Sequence, residues 1–251
     1  MLGRTTPVTV LLAAFLLGAA GCQSAVDPEQ VEDVAGDDAT AEASVDAAGD
    51  SLADSGCPAP ARITPEMIPS GYLPVERVNL NYDVDGDTAH FYFASGDHIL
   101  RYLFVDTEES NGAKTTEFGK ASKAIMAKWL QEAKEIKVAV RQGSTAGSPD
   151  VDLYGRWLSL IFVDGELIQT RLVREGYSPY VTHFRYSFGG KSTYCAPTPV
   201  HEALLYAEAE AYANQRGIWA PGHPTDYKAT LAEWTGPDKC RPIPYEGPYC
   251  K

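Results

Sequence analysis

The sequence predicts a small β-barrel of five strands with three helices, an α+β arrangement, within residues 57–251. One observation is a series of short segments rich in β-branched and aromatic residues, separated by Asp/Gly turns. A second is that longer segments with helical spacing follow and alternate with further strands. Nearly all aromatic residues lie in this region, so we expect one hydrophobic core there.

The first three strands form a predicted meander. Residues 75–82, 88–93 and 99–105 are rich in β-branched and aromatic side chains. The segments 83–86 and 94–97 between them contain the Asp, Gly and Ser residues that favour tight turns. We therefore expect three antiparallel strands joined by short turns.

A helix and two more strands follow the meander. Apolar residues recur at helical spacing over 118–132, and 136–140 alternates as a strand. After a Gly/Ser/Pro loop at 143–149, the apolar segment 157–163 predicts the fifth strand, and Asp164-Gly165 predicts a hairpin turn after it.

Two further helices complete the pattern. Residues 167–175 predict a short helix that Gly176 ends. Thr198 is predicted to cap an alanine-rich helix with Pro199 at its first position, and this helix runs to residue 216. Five strands with three helices suit a partly open Greek-key barrel, the OB-fold, whose loops and one sheet face bind oligonucleotides. A fold alone does not define a function.

The N-terminus predicts export. Residues 1–21 contain one early positive charge and a short apolar core that ends in small residues before Cys22, as in a signal peptide. This arrangement resembles the lipobox of bacterial lipoproteins, so Cys22 is the predicted lipidation site. Ala19 stands where that motif usually carries leucine, so simple secretion with cleavage nearby stays open.

An acidic tether is predicted between the lipidation site and the folded domain. From residue 23 to residue 56 there are ten acidic residues and no Lys or Arg, and such a segment cannot bury enough apolar surface to fold. We therefore assign 22–56 to the tether, 57–219 to the domain and 220–251 to a Pro-rich extension. Most of the chain's net charge of −13 lies before residue 57, so its acidity does not exclude a nucleic-acid substrate.

Four cysteines lie outside the lipidation site, and none forms a Cys-x-x-Cys pair that would suggest zinc. In an exported protein such an even set predicts two disulfides, with three possible connectivities. The four residues are Cys57, Cys195, Cys240 and Cys250.

Acidic side chains cluster at the predicted ends of two strands. Asp85 and Asp87 flank Gly86 in a turn, and Asp106 lies near the end of the third strand. Carboxylate oxygens suit Ca²⁺ or Mg²⁺ better than zinc or copper. An isolated Asp-Gly-Asp is more often a plain turn, so the metal interpretation depends on the residues that accompany it.

Arg101, Glu109 and Arg156 accompany these aspartates. A phosphodiester hydrolase needs positive groups to neutralise the charge that develops on phosphorus, and a base for the attacking water. The planar guanidinium group suits phosphate in a bidentate way that lysine does not. Each residue alone is more often part of a surface ion pair or a solvated loop, and only the ordered set indicates hydrolysis.

The ordered set resembles the staphylococcal nuclease (thermonuclease) family over residues 75–219. The motifs that carry the resemblance are Val84-Asp85-Gly86-Asp87-Thr88, the segment 101–109, Phe118-Gly119-Lys120-Ala121, Tyr154-Gly155-Arg156, the segment 172–176 and Gly217-Ile218-Trp219. The resemblance implies a nuclease that cleaves DNA or RNA and leaves 3′-phosphate ends.

The resemblance also implies residue roles. Asp87, Asp106 and the Thr107 carbonyl would bind Ca²⁺, Arg101 and Arg156 would clamp the phosphate, and Glu109 would activate or position water. Asp85 would help through water, and it forms the predicted substrate-binding set together with Tyr154 and Tyr186.

Two departures from the family pattern affect these roles. The family's usual proline between threonine and glutamate is Glu108 here, so Glu108 could compete with Glu109. Leu153 stands where a well-known member has a nucleotide-contacting lysine.

Two alternatives to a nuclease remain. One is a catalytically silent OB-fold module that binds nucleic acid or protein, and the other is a structural envelope lipoprotein. We expect a monomer that touches the membrane only through its lipid, and the preferred nucleic acid stays open.

Overall fold

The computed structural model describes residues 59–187, 190–193, 195–227 and 229. The predicted signal peptide (1–21) and acidic tether (22–56) lie outside these residues. So do four of the five cysteines, namely Cys22, Cys57, Cys240 and Cys250.

Strands and helices alternate in the described part of the chain. The strands are β1 (Glu76–Asp85), β2 (Thr88–Phe93), β3 (Gly96–Tyr102), β4 (Ile136–Val140), β5 (Trp157–Val163), β6 (Glu166–Leu167), β7 (His183–Ser187) and β8 (Gly190–Thr193). The helices are α1 (Glu117–Gln131), α2 (Ile168–Arg174) and α3 (Thr198–Ala213).

Five strands close into a barrel. The sheet order is β3-β2-β1-β4-β5, with β6 added beside β5. Neighbours in this order are antiparallel, whereas β3 and β5 pair in parallel, with Leu100 opposite Trp157. This pairing joins the two ends of the sheet. The predicted five-stranded OB-fold barrel with three helices is confirmed.

Strand β5 lies at the centre of the core. Its first residue, Trp157, is partly buried and every following residue is buried. Helix α2 contacts β5 and α3 packs on α2. Burial on both faces explains why every residue of this strand except Ser159 is apolar, with no polar alternation. Strands β4 and β5 have the bounds that the sequence predicts.

Strand β3 begins and ends three residues earlier than predicted, at 96–102 instead of 99–105. The chain leaves the strand because Phe104 adopts a φ of 70°, and Val105 then forms an isolated bridge with Tyr180. The apolar character of this segment reflects burial in the core after the strand has ended.

The C-terminal half also differs from prediction. Thr198 is the first residue of α3, and no side chain caps this helix, so the predicted Thr198 N-cap is wrong. The helix ends at Ala213, three residues before the predicted end. The hairpin of β7 and β8, in which His183 lies opposite Thr193, was not predicted. Within the described residues, no helix combines the length and hydropathy that a membrane span needs.

Candidate active site

The turn between β1 and β2 places Asp87 in a buried position. Only 5 % of Asp87 is exposed. Its Oδ1 accepts a hydrogen bond from the Thr88 hydroxyl at 3.0 Å, and its Oδ2 accepts from the Thr107 backbone N–H at 2.9 Å. Such partners are what a buried carboxylate needs. The bond from Thr107 also joins the turn to the chain twenty residues further on.

Gly86 is required by close approach in this turn. A Cβ atom there would lie 2.9 Å from the Thr107 side chain and 3.0 Å from Cβ of Ser122. Asp85 stabilises the turn locally, since its Oδ1 accepts from the Gly86 N–H at 2.8 Å. Glycine therefore lets the β1–β2 turn pack against the segment that contains Thr107.

Arg101 extends from β3 into the same cluster. Its Nη1 lies 2.7 Å from Oδ2 of Asp87 and donates to the Val105 carbonyl at 3.0 Å. Its Nη2 lies 2.5 Å from Oδ1 of Asp106. With 5 % of its surface exposed, Arg101 is a buried bridge between the two predicted metal-binding aspartates.

The segment after β3 is held by a distant part of the chain. The Asp106 N–H donates to the Ser178 hydroxyl at 2.7 Å, and the Val181 N–H donates to the Phe104 carbonyl at 3.0 Å. These contacts fix the backbone that presents Asp106 and Thr107.

Helix α1 packs directly against the next residues. The Thr116 N–H donates to the Glu109 carbonyl at 3.0 Å, and the Thr116 hydroxyl caps the helix by accepting from the Gly119 N–H. A Cβ at position 119 would collide with the carbonyl oxygens of Glu108 and Glu109. Gly119, which the sequence analysis quoted only as part of a motif, thus permits the contact between the helix and the loop.

Carboxylates are concentrated in this cluster. Burial raises the pKa of Asp85, and the neighbouring Asp87 raises it further. Half of the Asp106 side chain is exposed (51 %), yet desolvation by the surrounding protein, together with the charges of Asp87 and Glu109, raises its pKa to about 6. Burial, followed by the charges of Asp85 and Asp87, also raises the pKa of Glu109. The four acidic groups share one buried guanidinium, that of Arg101.

The donor set fits a hard divalent cation. It consists of carboxylate oxygens together with the Thr107 backbone, and such oxygen ligands are those of Ca²⁺. Among the described residues, no group of three or more His, Cys, Asp or Glu side chains is arranged to hold a metal ion. The predicted ligand set would not form such a group of side chains, because only Asp87 and Asp106 are direct carboxylate ligands and the third ligand is a backbone carbonyl.

Arg156 reaches the cluster from the loop before β5. Its Nη1 donates to the Thr88 hydroxyl at 3.2 Å, and that hydroxyl donates to Asp87 at 3.0 Å. The Tyr154 ring lies 5.1 Å from the guanidinium carbon and is 80 % exposed. Arg156 and Arg101 are thus linked to the same carboxylate, Arg156 through Thr88 and Arg101 directly.

Asp152, which is not among the predicted site residues, orients Arg156. Its Oδ1 accepts from the backbone N–H groups of Tyr154 and Arg156, at 2.8 and 2.9 Å. Its Oδ2 accepts from Nε of Arg156 at 2.5 Å. An Asp at the first position of a turn is a sequence signal for this bonding pattern, although the same pattern is common in turns without function.

The predicted site residues divide into two groups. The structure brings together Asp85, Asp87, Arg101, Asp106, Thr107, Glu109, Tyr154 and Arg156. Tyr186 lies on β7, and its side chain is outside the described residues. The side chain of Glu108 is buried, with 7 % of it exposed, whereas Glu109 is exposed.

The predicted cysteine set is described at one position. Cys195 is disulfide-bonded, and all other cysteines lie outside the described residues. The two-disulfide arrangement and its connectivity therefore stay predictions.

Fold and site define an OB-fold barrel with two arginines and four carboxylates gathered at one end of β1, β2 and β3. Residues 99–221 match the family model described as staphylococcal nuclease homologue. This match supports the family that the sequence motifs indicated.

Two relatives carry endonuclease names. Endonuclease YncB of Bacillus subtilis (strain 168) is 30 % identical over 147 residues, which are 57 % of this chain and 61 % of the relative. The SPbeta prophage-derived endonuclease YokF of the same organism is 27 % identical over 154 residues, 59 % of this chain and 46 % of the relative. The matched region thus spans less than two thirds of either relative's length. These similarities support a nuclease hydrolase at the level of the family.

Proposed function

We propose that this protein is a Ca²⁺-dependent nuclease that hydrolyses phosphodiester bonds of DNA, RNA or both. One observation supports this most strongly. The Thr88 hydroxyl joins Arg156 to Asp87, and Asp87 is also paired with Arg101, so two guanidinium groups converge on one carboxylate. Such convergence suits a phosphate that gains negative charge in the transition state.

Each group has a role in the proposed reaction. Arg156, oriented by Asp152, binds the phosphate at the partly open side of the site. Arg101 keeps Asp87 and Asp106 together and adds a second positive charge. Glu109 has an exposed side chain on a fixed backbone, which suits a group that positions the attacking water. Cleavage of the bond to the 5′ oxygen would leave 3′-phosphate ends.

Asp87, Asp106 and the Thr107 carbonyl are the proposed Ca²⁺ ligands, and Asp85 would assist through water. A bound cation would supply charge neutralisation at the phosphate and at the clustered carboxylates. Mg²⁺ requires a stricter octahedron and should support less activity.

We expect the purified chain to cleave DNA or RNA in the presence of Ca²⁺ and to lose this activity in excess EDTA, because the positive charge beside the phosphate is removed. Added Ca²⁺ should restore it. The measurement is release of labelled fragments, with the 3′ ends analysed for phosphate. Protein with Arg156→Ala, prepared in parallel, controls for contaminating nucleases.

Full activity in EDTA would contradict the metal requirement. Binding of oligonucleotide without cleavage under every metal condition would favour the alternative, a catalytically silent OB-fold module.

We also propose that the protein is exported and anchored to a bacterial envelope membrane by lipid on Cys22, with 23–56 as an acidic spacer. Stable anchoring requires more than one acyl chain. In this proposal Cys22 carries all of the lipid, so loss of this cysteine removes the whole anchor. Cys22→Ser should move the protein from the membrane fraction to the soluble fraction without lowering its specific activity. Retention of the variant on membranes after a high-salt wash would assign the anchor to another part of the chain.

A further inference from the structure

Glu108 is an acidic residue with a buried side chain between two residues of the candidate active site, Thr107 and Glu109. Its Oε2 accepts a hydrogen bond from the Thr116 hydroxyl at 2.6 Å. Its Oε1 accepts from the Tyr227 hydroxyl at 3.1 Å and from the Thr225 hydroxyl at 3.4 Å. Both carboxylate oxygens are therefore engaged by the protein, which is how a buried carboxylate is stabilised.

These partners come from two separate parts of the fold. Thr116 caps α1, so Glu108 lies at the positive end of that helix. Residues 223–227, which we name the C-terminal clasp, follow the 3₁₀ turn Gly217–Trp219. Nε2 of His223 in the clasp also lies 3.4 Å from Oε1 of Glu108.

The clasp is packed onto the domain by aromatic contacts. The Tyr227 ring lies 6.3 Å from the Trp219 ring and 5.5 Å from the His223 ring. The His223 ring in turn meets the ring of Phe118, in the first turn of α1, edge-on at 5.2 Å. The hydroxyl of Tyr227 can thus be removed while its ring keeps its neighbours.

The clasp lies just beyond the region that matches the family model, which ends at residue 221. None of residues 106–109 is proline, the residue that restricts the backbone by itself. Here Glu108 leaves the backbone less restricted, but its side chain is tied to residues more than 115 positions away in sequence.

We propose that Glu108 is a positioning residue through which the C-terminal clasp holds residues 106–109 in the geometry required for metal binding and catalysis. This rests on the proposed function for its metal-binding and catalytic consequences, whereas the contact itself is tested without metal. Glu108 touches no substrate in this proposal. Its carboxylate forms a hydrogen-bonded contact between the active-site loop and the C-terminal extension.

Hydrogen exchange in metal-free, full-length protein tests the contact without using activity. The reporters are the backbone N–H groups of Thr107 and Thr116, which donate to Asp87 and Glu109. Tyr227→Phe should accelerate their exchange roughly tenfold, because a hydrogen bond to a charged group is lost. Tyr92→Phe, the same change at a tyrosine that is 51 % exposed, is the matched control and should leave the exchange unchanged.

A double-mutant cycle separates a direct contact from general destabilisation. Glu108→Ala should loosen the loop, and adding Tyr227→Phe to it should have little further effect. Glu108→Gln, which keeps an oxygen acceptor for the tyrosine, should give an intermediate effect. Additive effects, or unchanged exchange in Tyr227→Phe, would overturn the proposal.

Calorimetric titration with Ca²⁺ and steady-state kinetics measure the functional consequence. Tyr227→Phe should weaken Ca²⁺ binding and lower kcat several-fold with little change in KM, because the loop carries metal ligands and not the nucleotide-binding surface. Unaltered Ca²⁺ affinity and kcat in a variant whose exchange is accelerated would show a purely structural contact and overturn the positioning role. If the wild-type chain has no nuclease activity, the proposed function fails, whereas the exchange and Ca²⁺-binding results still decide whether the clasp controls the loop.

Discussion

Arg156→Ala is expected to lower kcat by a factor on the order of 10²–10³ while the protein keeps its fold, because one transition-state donor of this kind contributes about 2.7–4 kcal/mol. Asp152 engages Nε of Arg156 and Thr88 engages its Nη1. Within the described residues, its Nη2 has no hydrogen-bond partner, and its side chain is 21 % exposed. The guanidinium is thus oriented by protein on one side and accessible to phosphate on the other.

The measurement is single-turnover cleavage of a labelled oligonucleotide at saturating Ca²⁺. Arg156→Lys should recover only a small part of the activity, since an ammonium group keeps the charge but not the planar pair of donors. Arg141→Ala is the matched control, because Arg141 forms a similar ion pair with Asp150 at 2.5 Å outside the site. If Arg156→Ala and Arg141→Ala had the same turnover, Arg156 would have no place in the mechanism.

Arg101→Ala should abolish detectable turnover and also destabilise the fold, by about 3–5 kcal/mol as for a broken buried ion pair. Arg101 pairs with Asp87 at 2.7 Å and with Asp106 at 2.5 Å, and its removal leaves the Asp87 carboxylate buried beside other acidic groups. A cation at the same carboxylates should offset part of this loss. The variant is therefore expected to regain stability on addition of Ca²⁺ without regaining activity.

Urea unfolding with and without Ca²⁺ measures this effect. The Arg141–Asp150 pair again provides the control, since a partly exposed ion pair contributes only about 0–1 kcal/mol. An Arg101→Ala protein as stable as the wild type in the absence of metal would show that the buried pair does not stabilise the fold. Arg101 and Arg156 look equivalent in the sequence. Because Arg101 is more deeply buried, its loss is expected to lower stability as well as turnover, whereas loss of Arg156 is expected to lower turnover alone.

Local patterns in the sequence predicted most of the barrel. Strands β4 and β5 have the predicted bounds because each is a short, mostly apolar segment bounded by polar or turn-forming residues, with Lys137 or Ser159 as its single polar residue. The prediction was wrong by three residues at β3, where a buried apolar segment continues past the end of the strand. The hairpin of β7 and β8 was missed because β8 consists only of Gly, Lys, Ser and Thr and gives no strand pattern, although β7 alternates polar and aromatic residues.

The sequence by itself determined which residue types are available for chemistry and in what order they occur. Asp85, Asp87, Arg101, Glu109 and Arg156 were all identified from it. They could be identified because their motifs are short. Turns, and hydrogen bonds between residues a few positions apart, depend on consecutive residues that the sequence shows directly.

Only the tertiary structure decided how neighbouring residues divide their roles. Glu108 and Glu109 are adjacent and chemically alike, yet Glu108 is buried against Thr116 and Tyr227 while Glu109 is exposed. Likewise, the importance of Asp152 depends on the tertiary structure, in which it orients Arg156 and Arg156 contacts Thr88. The physical reason is that these side chains are buried and paired by segments that lie more than sixty residues away in the sequence. A local sequence pattern does not indicate which distant segments will come into contact.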